Sequence, residues 1–218
     1  MPTRAAATIV RPYQPVDRTA LRQIAYSTAF LESPSEFFDD EEILSDILTL
    51  YFTDYEPESS LVAVAADGRV VGYLIGAVDT HRLDWVGMFQ LGPRILWKSL
   101  QRGTLGRGKV LVFLWHLWVS FCRGEFFLSD FSRQYPATFH INLLKEFRGQ
   151  GVGEHLVRAY YQYLQGRGVK AVRVSTFSEG AKRFFMKLGL TPLIHGPRSF
   201  LKYRLGRDAR VYILGKKL

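Results

Sequence analysis

The feature that most restricts the fold is a glycine-rich turn between a predicted strand and a predicted helix. Residues 147–156 read FRGQGVGEHL, with three glycines at alternate positions. Apolar residues before the turn predict a strand over 137–144, and the periodicity after it predicts an amphipathic helix over 151–165. Glycine accepts positive φ and lets another group approach the backbone closely. Such a helix start leaves backbone N–H groups unpaired, an arrangement that binds a phosphate or diphosphate.

Two common phosphate-binding motifs do not fit this turn. A dinucleotide-binding fingerprint needs G-x-G-x-x-G, whereas this turn reads G-x-G-x-G. A nucleotide-binding P-loop needs Lys and then Ser or Thr after its last glycine, and here Glu154 and His155 follow. Residues 103–109 match G-x-x-x-x-G-K, but Val110 replaces the metal-binding hydroxyl, so we interpret this segment as a basic surface loop.

The rest of the chain is predicted to form strands and helices on both sides of the turn. The clearest hairpin joins residues 60–66 to 70–78 through Asp67-Gly68, because glycine suits a tight turn. Further strands are predicted at 8–13, 171–176, 191–194 and 211–214. Further helices are predicted after Asp17, with Leu21, Ile24 and Ala25 buried; after Asp39 or Asp40, with Ile43, Ile47, Leu48 and Tyr51 on one face; and before Gly189, with Ala181, Phe184, Phe185 and Leu188 on one face.

Residues 81–135 show no clear periodicity, and all four tryptophans lie there. The apolar run 110–122 has 13 residues, too few to cross a membrane, so we expect a buried helix or strand, a lid or a dimer surface. The dimer surface leaves a homodimer open. Cys122, the only cysteine, lies in this run and is predicted to be a core thiol. Because no segment suits a signal peptide or a membrane span, we expect a cytoplasmic protein without an integral membrane segment.

Charge is distributed unevenly along the chain. Ten of the twenty acidic residues lie between Glu32 and Glu58, a stretch without Lys or Arg, so the other 191 residues carry 29 basic against 10 acidic side chains. One face can therefore attract cations and the remainder anions. The alternative is an ordinary solvated acidic helix. We do not expect a nucleic-acid partner, because no recognition motif accompanies the positive charge.

The order of the motifs resembles the GNAT superfamily of acyl-CoA N-acyltransferases. Arg148-x-x-Gly151-x-Gly153 fits its R/Q-x-x-G-x-G/A pattern, and residues 181–190, AKRFFMKLGL, look like its A-x-x-(F/L)-Y-x-K-x-G-F phrase. The opening VRPYQPVDRTAL and the ending VYILGKKL look like its first and last strands. VVGYLIGAVDT and YPATFHINLLKEFRGQGVG are also similar to a bacterial group related to the acetyltransferase-like domain found beside some O-GlcNAcases.

The resemblance implies one α/β (α+β) domain over residues 1–218, with a mixed, mostly antiparallel central sheet flanked by helices. The aromatic-rich insertion, about 81–135, would precede the fourth strand. Acetyl-CoA is implied as co-substrate, and no metal is expected. A backbone N–H aimed at the thioester carbonyl would stabilise the oxyanion. The residues implied to bind acetyl-CoA are those of the turn (Arg148, Gly149, Gln150, Gly151, Val152, Gly153 and Glu154), the end of the preceding strand (Leu143 and Leu144) and the short helix (Ser178 and Phe185).

The chain departs from the family pattern at the positions of the base and the acid. An amine with a pKa of about 10.4 is mostly charged at neutral pH, so a base must remove a proton before attack. The Glu that often does this corresponds to Ala137, and His140, which shares a strand face with Asn142, is a substitute or else a structural residue. The Tyr that often protonates the leaving thiolate corresponds to Phe185, which leaves water or Tyr203 for that role.

Acidic and tyrosine residues around the implied acceptor site are further candidates. Asp79 and Tyr135 join His140 and Asn142 as predicted catalytic residues, and Glu56, Glu58 and Asp79 are predicted to bind the amine; a structural role is the alternative for each. Since the first two helices flank the acceptor site in GNAT proteins, the acidic stretch would face a cationic amine, and the insertion would cover an acceptor with an apolar or sugar-like face.

The leading hypothesis is therefore a CoA-dependent N-acetyltransferase that acts on a primary amine of a small molecule or amino sugar. One alternative is a non-catalytic acyl-CoA-binding module, because the usual Glu and Tyr are missing. Another is a membrane-associated or protein-partner module that uses the basic, aromatic insertion.

Overall fold

The computed structural model describes residues 8–218, and within them seven strands form one sheet. The strands are β1 Ile9–Pro12, β2 Leu61–Val64, β3 Val70–Ala77, β4 Ala137–Leu143, β5 Ala171–Thr176, β6 Thr191–Pro197 and β7 Arg210–Lys217. They lie in the order β1-β2-β3-β4-β5-β7-β6. Every neighbouring pair is antiparallel except β4 and β5, which are parallel. The mixed, mostly antiparallel sheet expected from the sequence is thus confirmed.

The only parallel pair separates soon after it begins. β4 and β5 are in register at Ala137–Val172 and Thr138–Arg173 and not beyond. β4 nevertheless continues on its other side along β3 as far as Leu143, and β5 continues along β7 as far as Thr176. A cleft therefore opens between the carboxyl ends of β4 and β5. We call it the gap.

Helices cover both faces of the sheet. They are α1 Arg18–Glu32, α2 Pro34–Phe37, α3 Glu41–Leu50, α4 Thr80–Val86, α5 Gly92–Gln101, α6 Gly108–Cys122, α7 Val152–Gly166, α8 Glu179–Lys187 and α9 Lys202–Leu205. Wide helical turns extend α3 through Tyr51–Tyr55 and join α4 to α5 through Gly87–Leu91. α1 unwinds at its end, where Phe30, Leu31 and Glu32 all have positive φ.

Three apolar cores hold the described residues together, and two of them lie against the sheet. On one face, Leu156, Val157 and Tyr160 of α7 are buried together with Phe139 of β4 and Phe185 of α8. On the other face, α1 and the end of α3 pack on the remaining side of β3 through Leu21, Ile24, Tyr51, Tyr73 and Ile75. The turn that precedes α7 is thereby held at the carboxyl end of β4, beside the gap.

The insertion differs from its prediction in form. Residues 80–122 are almost wholly helical, and the run 110–122 is part of α6. Cys122 is exposed, so its prediction as a core thiol was wrong. The reason is that α6 buries only one stripe of its apolar surface, and Cys122 lies outside that stripe. None of the helices within residues 8–218 has the length and apolarity needed to cross a membrane.

Two predicted details of the first helices also need correction. Asp17 precedes α1 but does not cap it, because its carboxylate instead accepts hydrogen bonds from the Gln14 N–H and from Arg11. Asp40 does cap α3, accepting from the Ile43 N–H at 3.3 Å. On α3, Ile47 is exposed and Leu44 takes the buried position.

Candidate functional site

Each glycine of the turn has its own structural reason. Gly149 and Gly151 have φ of 76° and 83°, a left-handed conformation that side chains with a β-carbon rarely adopt. Gly153 is crowded instead, since a β-carbon there would lie 3.2 Å from the Phe184 ring and 3.3 Å from the Leu143 side chain. The first two glycines therefore shape the turn, and the third lets α7 approach β4 and α8.

The turn presents a row of unpaired amides. No acceptor within residues 8–218 pairs with the backbone N–H groups from Gly149 through Glu154, and the first intrahelical bond of α7 runs from the His155 N–H to the Gly151 carbonyl at 3.1 Å. The side chains turn elsewhere, since Gln150 donates to the Glu146 carbonyl and Glu154 pairs with Arg158. The positive end of the α7 dipole adds to these donors. The arrangement is suited to hold a phosphate or diphosphate.

Arg148 is engaged by the protein itself. Its guanidinium donates two hydrogen bonds to the Leu143 carbonyl, at 3.0 and 2.9 Å, and forms an ion pair with Glu32. The carbonyl of Leu143 is therefore not a free acceptor, contrary to the expectation for the strand end. The ion pair also ties the left-handed end of α1 to the edge of the gap.

The free main-chain groups of β4 are those of Ile141 and Leu143 rather than those of Leu143 and Leu144. Leu144 uses both of its groups, donating to Val71 at 2.9 Å and accepting from the Phe147 N–H at 3.0 Å. Because successive residues of a strand point their N–H and C=O groups to opposite sides, the Leu144 bond to β3 directs those of Ile141 and Leu143 into the gap. The groups left for a ligand are thus the N–H and C=O of Ile141 and the N–H of Leu143, and Leu144 is not among them.

The two predicted residues near α8 are held by the protein. The Ser178 hydroxyl caps α8 by accepting from the Ala181 N–H at 3.3 Å. Phe185 is buried in the core beside Phe139 and Phe184, with ring centroids 5.7 and 5.3 Å away. Phe184, which is partly exposed, lies next to Gly153 instead. The side chain of α8 nearest the turn is therefore that of Phe184, a position not predicted from the sequence.

His140 lies in β4, on the sheet face that packs against α1 and α3. Its ring stands 6.1 Å from the ring of Phe52, in an edge-to-face arrangement. The imidazole keeps access to solvent, yet protein atoms surround it closely enough that desolvation lowers the pKa of His140 below its ordinary value of 6.5. The ring is therefore neutral at pH 7 and able to accept a proton.

Asn142, two residues further along the same face, is fixed by a buried hydroxyl. Its side-chain amide donates to the Tyr73 hydroxyl at 2.7 Å. Burial raises the pKa of Tyr73 to about 12, against the opposing hydrogen bonds with Asn142 and Thr28, so the phenol stays protonated. Asn142 thus has a structural partner, and its amide oxygen is not part of that bond.

The predicted amine-binding carboxylates have structural partners. Glu56 is 1% exposed, and its two oxygens accept from the Tyr51 hydroxyl at 2.7 Å and the Val78 N–H at 2.8 Å. Glu58 pairs with Arg167 at the end of α7. Asp79 caps α4 by accepting from the His81 N–H at 2.8 Å. Glu56 and Glu58 are therefore not directed at the gap.

Tyr135 lies on the same face as His140 but across β5. A β-carbon on Gly215 of β7 would lie 2.6 Å from its ring, and Gly215 pairs with Arg173 of β5.

Tyr203, the alternative acid, stacks on His116 of α6 with ring centroids 4.2 Å apart, and its buried hydroxyl has no partner within the described residues. Tyr203 therefore belongs to the insertion side of the molecule.

A carboxyl group that sequence reasoning missed is Asp84 of α4. Desolvation raises the pKa of Asp84, and the nearby Arg173 and His81 oppose the change. Arg173 pairs with Thr138, which shares the face of His140, so Asp84 lies on the same side of the sheet as His140. The sequence did contain a signal for Asp84, because Asp79 and Asp84 are the only acidic residues from 79 to 124.

Among residues 8–218, no three His, Cys, Asp or Glu side chains are grouped so as to hold a metal ion.

The acidic stretch Glu32–Glu58 is largely neutralised. The pairs reach α1, α7, the glycine turn and the insertion: Arg148–Glu32, Arg107–Asp39, Arg102–Asp40, Arg22–Glu42, Lys98–Asp46, Arg18–Asp54 and Arg167–Glu58. Among its carboxyl groups, that of Asp40 has the most strongly lowered pKa. Burial opposes its ionisation, but hydrogen bonds from Arg102 and Thr104 lower the pKa to about 2. The stretch therefore works mainly as an attachment surface, against the expectation that it faces a cationic acceptor.

Comparison with known proteins agrees with this geometry. The sequence model described as the Acetyltransferase (GNAT) family matches residues 20–190. No curated protein matches the chain by sequence.

Three solved structures show how far the similarity extends. The structure of SsHAT is 26% identical, covers 97% of this chain and 98% of its own, and superposes with a TM-score of 0.73. The polyamine N-acetyltransferase of Drosophila melanogaster is 16% identical, covers 97% of this chain and 100% of its own, and has a TM-score of 0.58. The protein yncA of Salmonella typhimurium, solved with its cofactor acetyl-CoA, is 16% identical over 97% of this chain and 94% of its own, with a TM-score of 0.59. The last two similarities concern the fold alone.

Proposed function

Because this chain belongs to the Acetyltransferase (GNAT) family, we propose that it transfers an acetyl group from acetyl-CoA to a primary amine of a small molecule or amino sugar. The observation that carries the proposal is the row of unpaired amides from Gly149 to Glu154, next to a gap lined by free main-chain groups. Proteins of similar fold include a polyamine N-acetyltransferase and a protein solved with its cofactor acetyl-CoA.

The proposed binding mode uses backbone groups at both ends of the cleft. The turn amides would hold the diphosphate of acetyl-CoA, which supplies the acetyl group as an activated thioester. The pantetheine arm of acetyl-CoA contains amides and would take the place of a neighbouring strand. It would pair with the N–H and C=O groups of Ile141 and the N–H of Leu143. A backbone N–H there would also donate to oxygen as negative charge develops on the carbonyl.

His140 is proposed as the general base. Its neutral ring accepts a proton from the ammonium form of the acceptor, directly or through one water, and the freed amine lone pair then attacks the carbonyl carbon. Asp84 is proposed to attract the cationic acceptor to this face, since Glu56 and Glu58 are occupied elsewhere. With Phe185 in the core, water is the proposed proton donor to the leaving thiolate, whose conjugate acid has a pKa of about 8.5.

The test measures turnover across a panel of primary amines, with the release of free CoA thiol as the readout. We expect kcat/KM to rise with pH through the pKa of His140, with its midpoint on the acid side of 6.5. His140→Ala is expected to lower the rate by about 10²- to 10⁴-fold and to remove this limb of the pH profile. His195→Ala, an exposed histidine on β6, is the matched control and should leave both unchanged.

The same assay distinguishes acetyl transfer from the alternative, a function in acyl-CoA binding alone. Binding of acetyl-CoA without turnover of any amine would indicate a non-catalytic acyl-CoA-binding module. An unaltered pH profile in His140→Ala would exclude His140 as the base while leaving the transfer itself intact.

A further inference from the structure

The insertion exposes far more apolar surface than its contacts with the rest of the protein require. Residues 108–122 of α6 read GKVLVFLWHLWVSFC, and a helix that is apolar on all sides is normally covered on all sides. One stripe is covered, since Val110, Phe113 and Ser120 are buried against the rest of the protein. The opposite stripe is exposed and consists of Leu111, Leu114, Trp115, Trp118 and Phe121.

The neighbouring helical segment 80–101 repeats this arrangement. Val86, Leu91 and Ser99 face inward. The exposed side carries Trp85, Phe89, Leu96, Trp97 and Leu100. All four tryptophans of the chain are thus 55–64% exposed. At about 250 Å² per tryptophan they present roughly 600 Å², more apolar surface than scattered exposed side chains explain.

The charges around these two stripes have one sign. From Trp85 to Arg123 the sequence has six Lys or Arg and no Asp or Glu. Lys98, Arg102 and Arg107 pair with the acidic stretch and fasten the insertion to α3. Cations without an ion pair among residues 8–218 flank α6, namely Lys109 and Arg123 at its two ends and Arg204 and Arg207 near α9, whose Tyr203 stacks on α6.

From this combination we propose that the exposed stripe of α6, with the cations that flank it, lies on an anionic lipid bilayer, as a peripheral contact in the plane of the headgroups. Tryptophan and phenylalanine insert into the interface, while lysine and arginine pair with anionic headgroups. A second copy of this chain fits the face less well, because pairing two such faces would bring unpaired cations together. The proposal does not depend on the proposed catalytic function.

The direct test is co-sedimentation with vesicles of equimolar phosphatidylcholine and phosphatidylglycerol, with pure phosphatidylcholine vesicles for comparison. We expect binding to the anionic vesicles, a blue shift of tryptophan fluorescence, and weaker binding at high salt. Trp115→Gln combined with Trp118→Gln should lower binding at least tenfold. Both side chains are 59–63% exposed, so thermal melting should be unchanged. Ile9→Gln combined with Val16→Gln, two exposed apolar residues outside the insertion, is the control and should bind as the wild type does.

Three results would overturn this assignment. The wild type could fail to bind anionic vesicles at low salt, or the double tryptophan variant could bind as well as the wild type. Alternatively, analytical ultracentrifugation could show a dimer that the tryptophan variant converts to a monomer, without vesicle binding. That result would assign the face to a second copy of the chain.

Discussion

The glycine turn and the acidic stretch both attract attention in the sequence, but the structure treats them in opposite ways. The turn leaves its amide donors from Gly149 to Glu154 unpaired within residues 8–218. The acidic stretch Glu32–Glu58, in contrast, has most of its carboxylates paired by Arg and Lys from four other parts of the chain. The first N–H groups of a helix have no intrahelical partner, and because no side chain caps α7 its donors remain available to an anionic ligand.

The difference teaches how to separate binding charge from structural charge. A cluster of like charges in a sequence indicates only that opposite charges are needed nearby. Those opposite charges can come from the same chain. Asp40 shows this most clearly, because its carboxylate is fully buried and yet accepts from Arg102, Thr104 and the Ile43 N–H. The hydrogen-bonding capacity of the Asp40 carboxylate is therefore taken up within the protein and is not available to an acceptor amine.

A carboxylate placed in the turn is the most disruptive single change to acetyl-CoA binding. Gly151→Asp brings a negative charge to amides that are expected to hold a diphosphate, and like charges 4 Å apart repel by about 4 kcal/mol near a protein surface. We expect acetyl-CoA affinity to fall at least about 100-fold in calorimetry. Gly151→Asn is the matched control, since it has the same shape, tolerates positive φ and carries no charge. Equal affinity in the two variants would show that charge at the turn does not matter.

The second prediction treats the acidic stretch as a structural element. Asp40→Asn leaves Arg102 without its buried partner, and we expect the free energy of unfolding to fall by ~3 kcal/mol. Asp39→Asn, whose partner Arg107 is partly exposed and 3.7 Å away, should change it by less than ~1 kcal/mol. Denaturant titration measures both. A large loss of acetyl-transfer activity in Asp40→Asn with unchanged stability would contradict the structural role.

The pH dependence of the same pair gives an independent check. The pKa of Asp40 is lowered to about 2 in the folded protein from an ordinary value of 3.8. The unfolded chain therefore binds the proton first, and the stability supplied by Asp40 is present above 3.8 and disappears as the pH falls toward 2. The stability difference between wild type and Asp40→Asn should shrink over that range. A difference that stays constant would mean that the carboxylate charge is not its source.

The fold of the sheet could be predicted because its strands carry their own signals. The alternation of residues 171–176 gives β5 with its bounds as the structure has them, and Asp67-Gly68 marks the turn between β2 and β3. The insertion could not be predicted, because α6 is apolar on both its buried and its exposed stripe and so has no helical period. The exposure of Cys122 follows from the same lack of contrast.

The candidate site was predictable in its backbone and not in its side chains. The unpaired amides follow from local glycine chemistry. The occupation of Glu56 by Tyr51 and Val78, and of Leu143 by Arg148, depends on contacts that no local pattern encodes. The ion pair of Lys98 with Asp46 joins residues 52 positions apart. Such partners decide which conspicuous residues remain available for chemistry.

The smallest expected effect lies where the two regions meet, at the ion pair between Glu32 and Arg148. Glu32→Gln removes a negative charge beside the turn but leaves Arg148 bonded to the Leu143 carbonyl. Both side chains of the pair are more than 40% exposed, so we expect acetyl-CoA affinity to rise by only about twofold at low salt, near 0.5 kcal/mol. The gain should vanish at high salt, because exposed charges are screened. Glu36→Gln, which removes a carboxylate without an ion pair among the described residues, should leave the affinity unchanged; a gain equal to that of Glu32→Gln would show that the effect comes from net charge and not from the contact with Arg148.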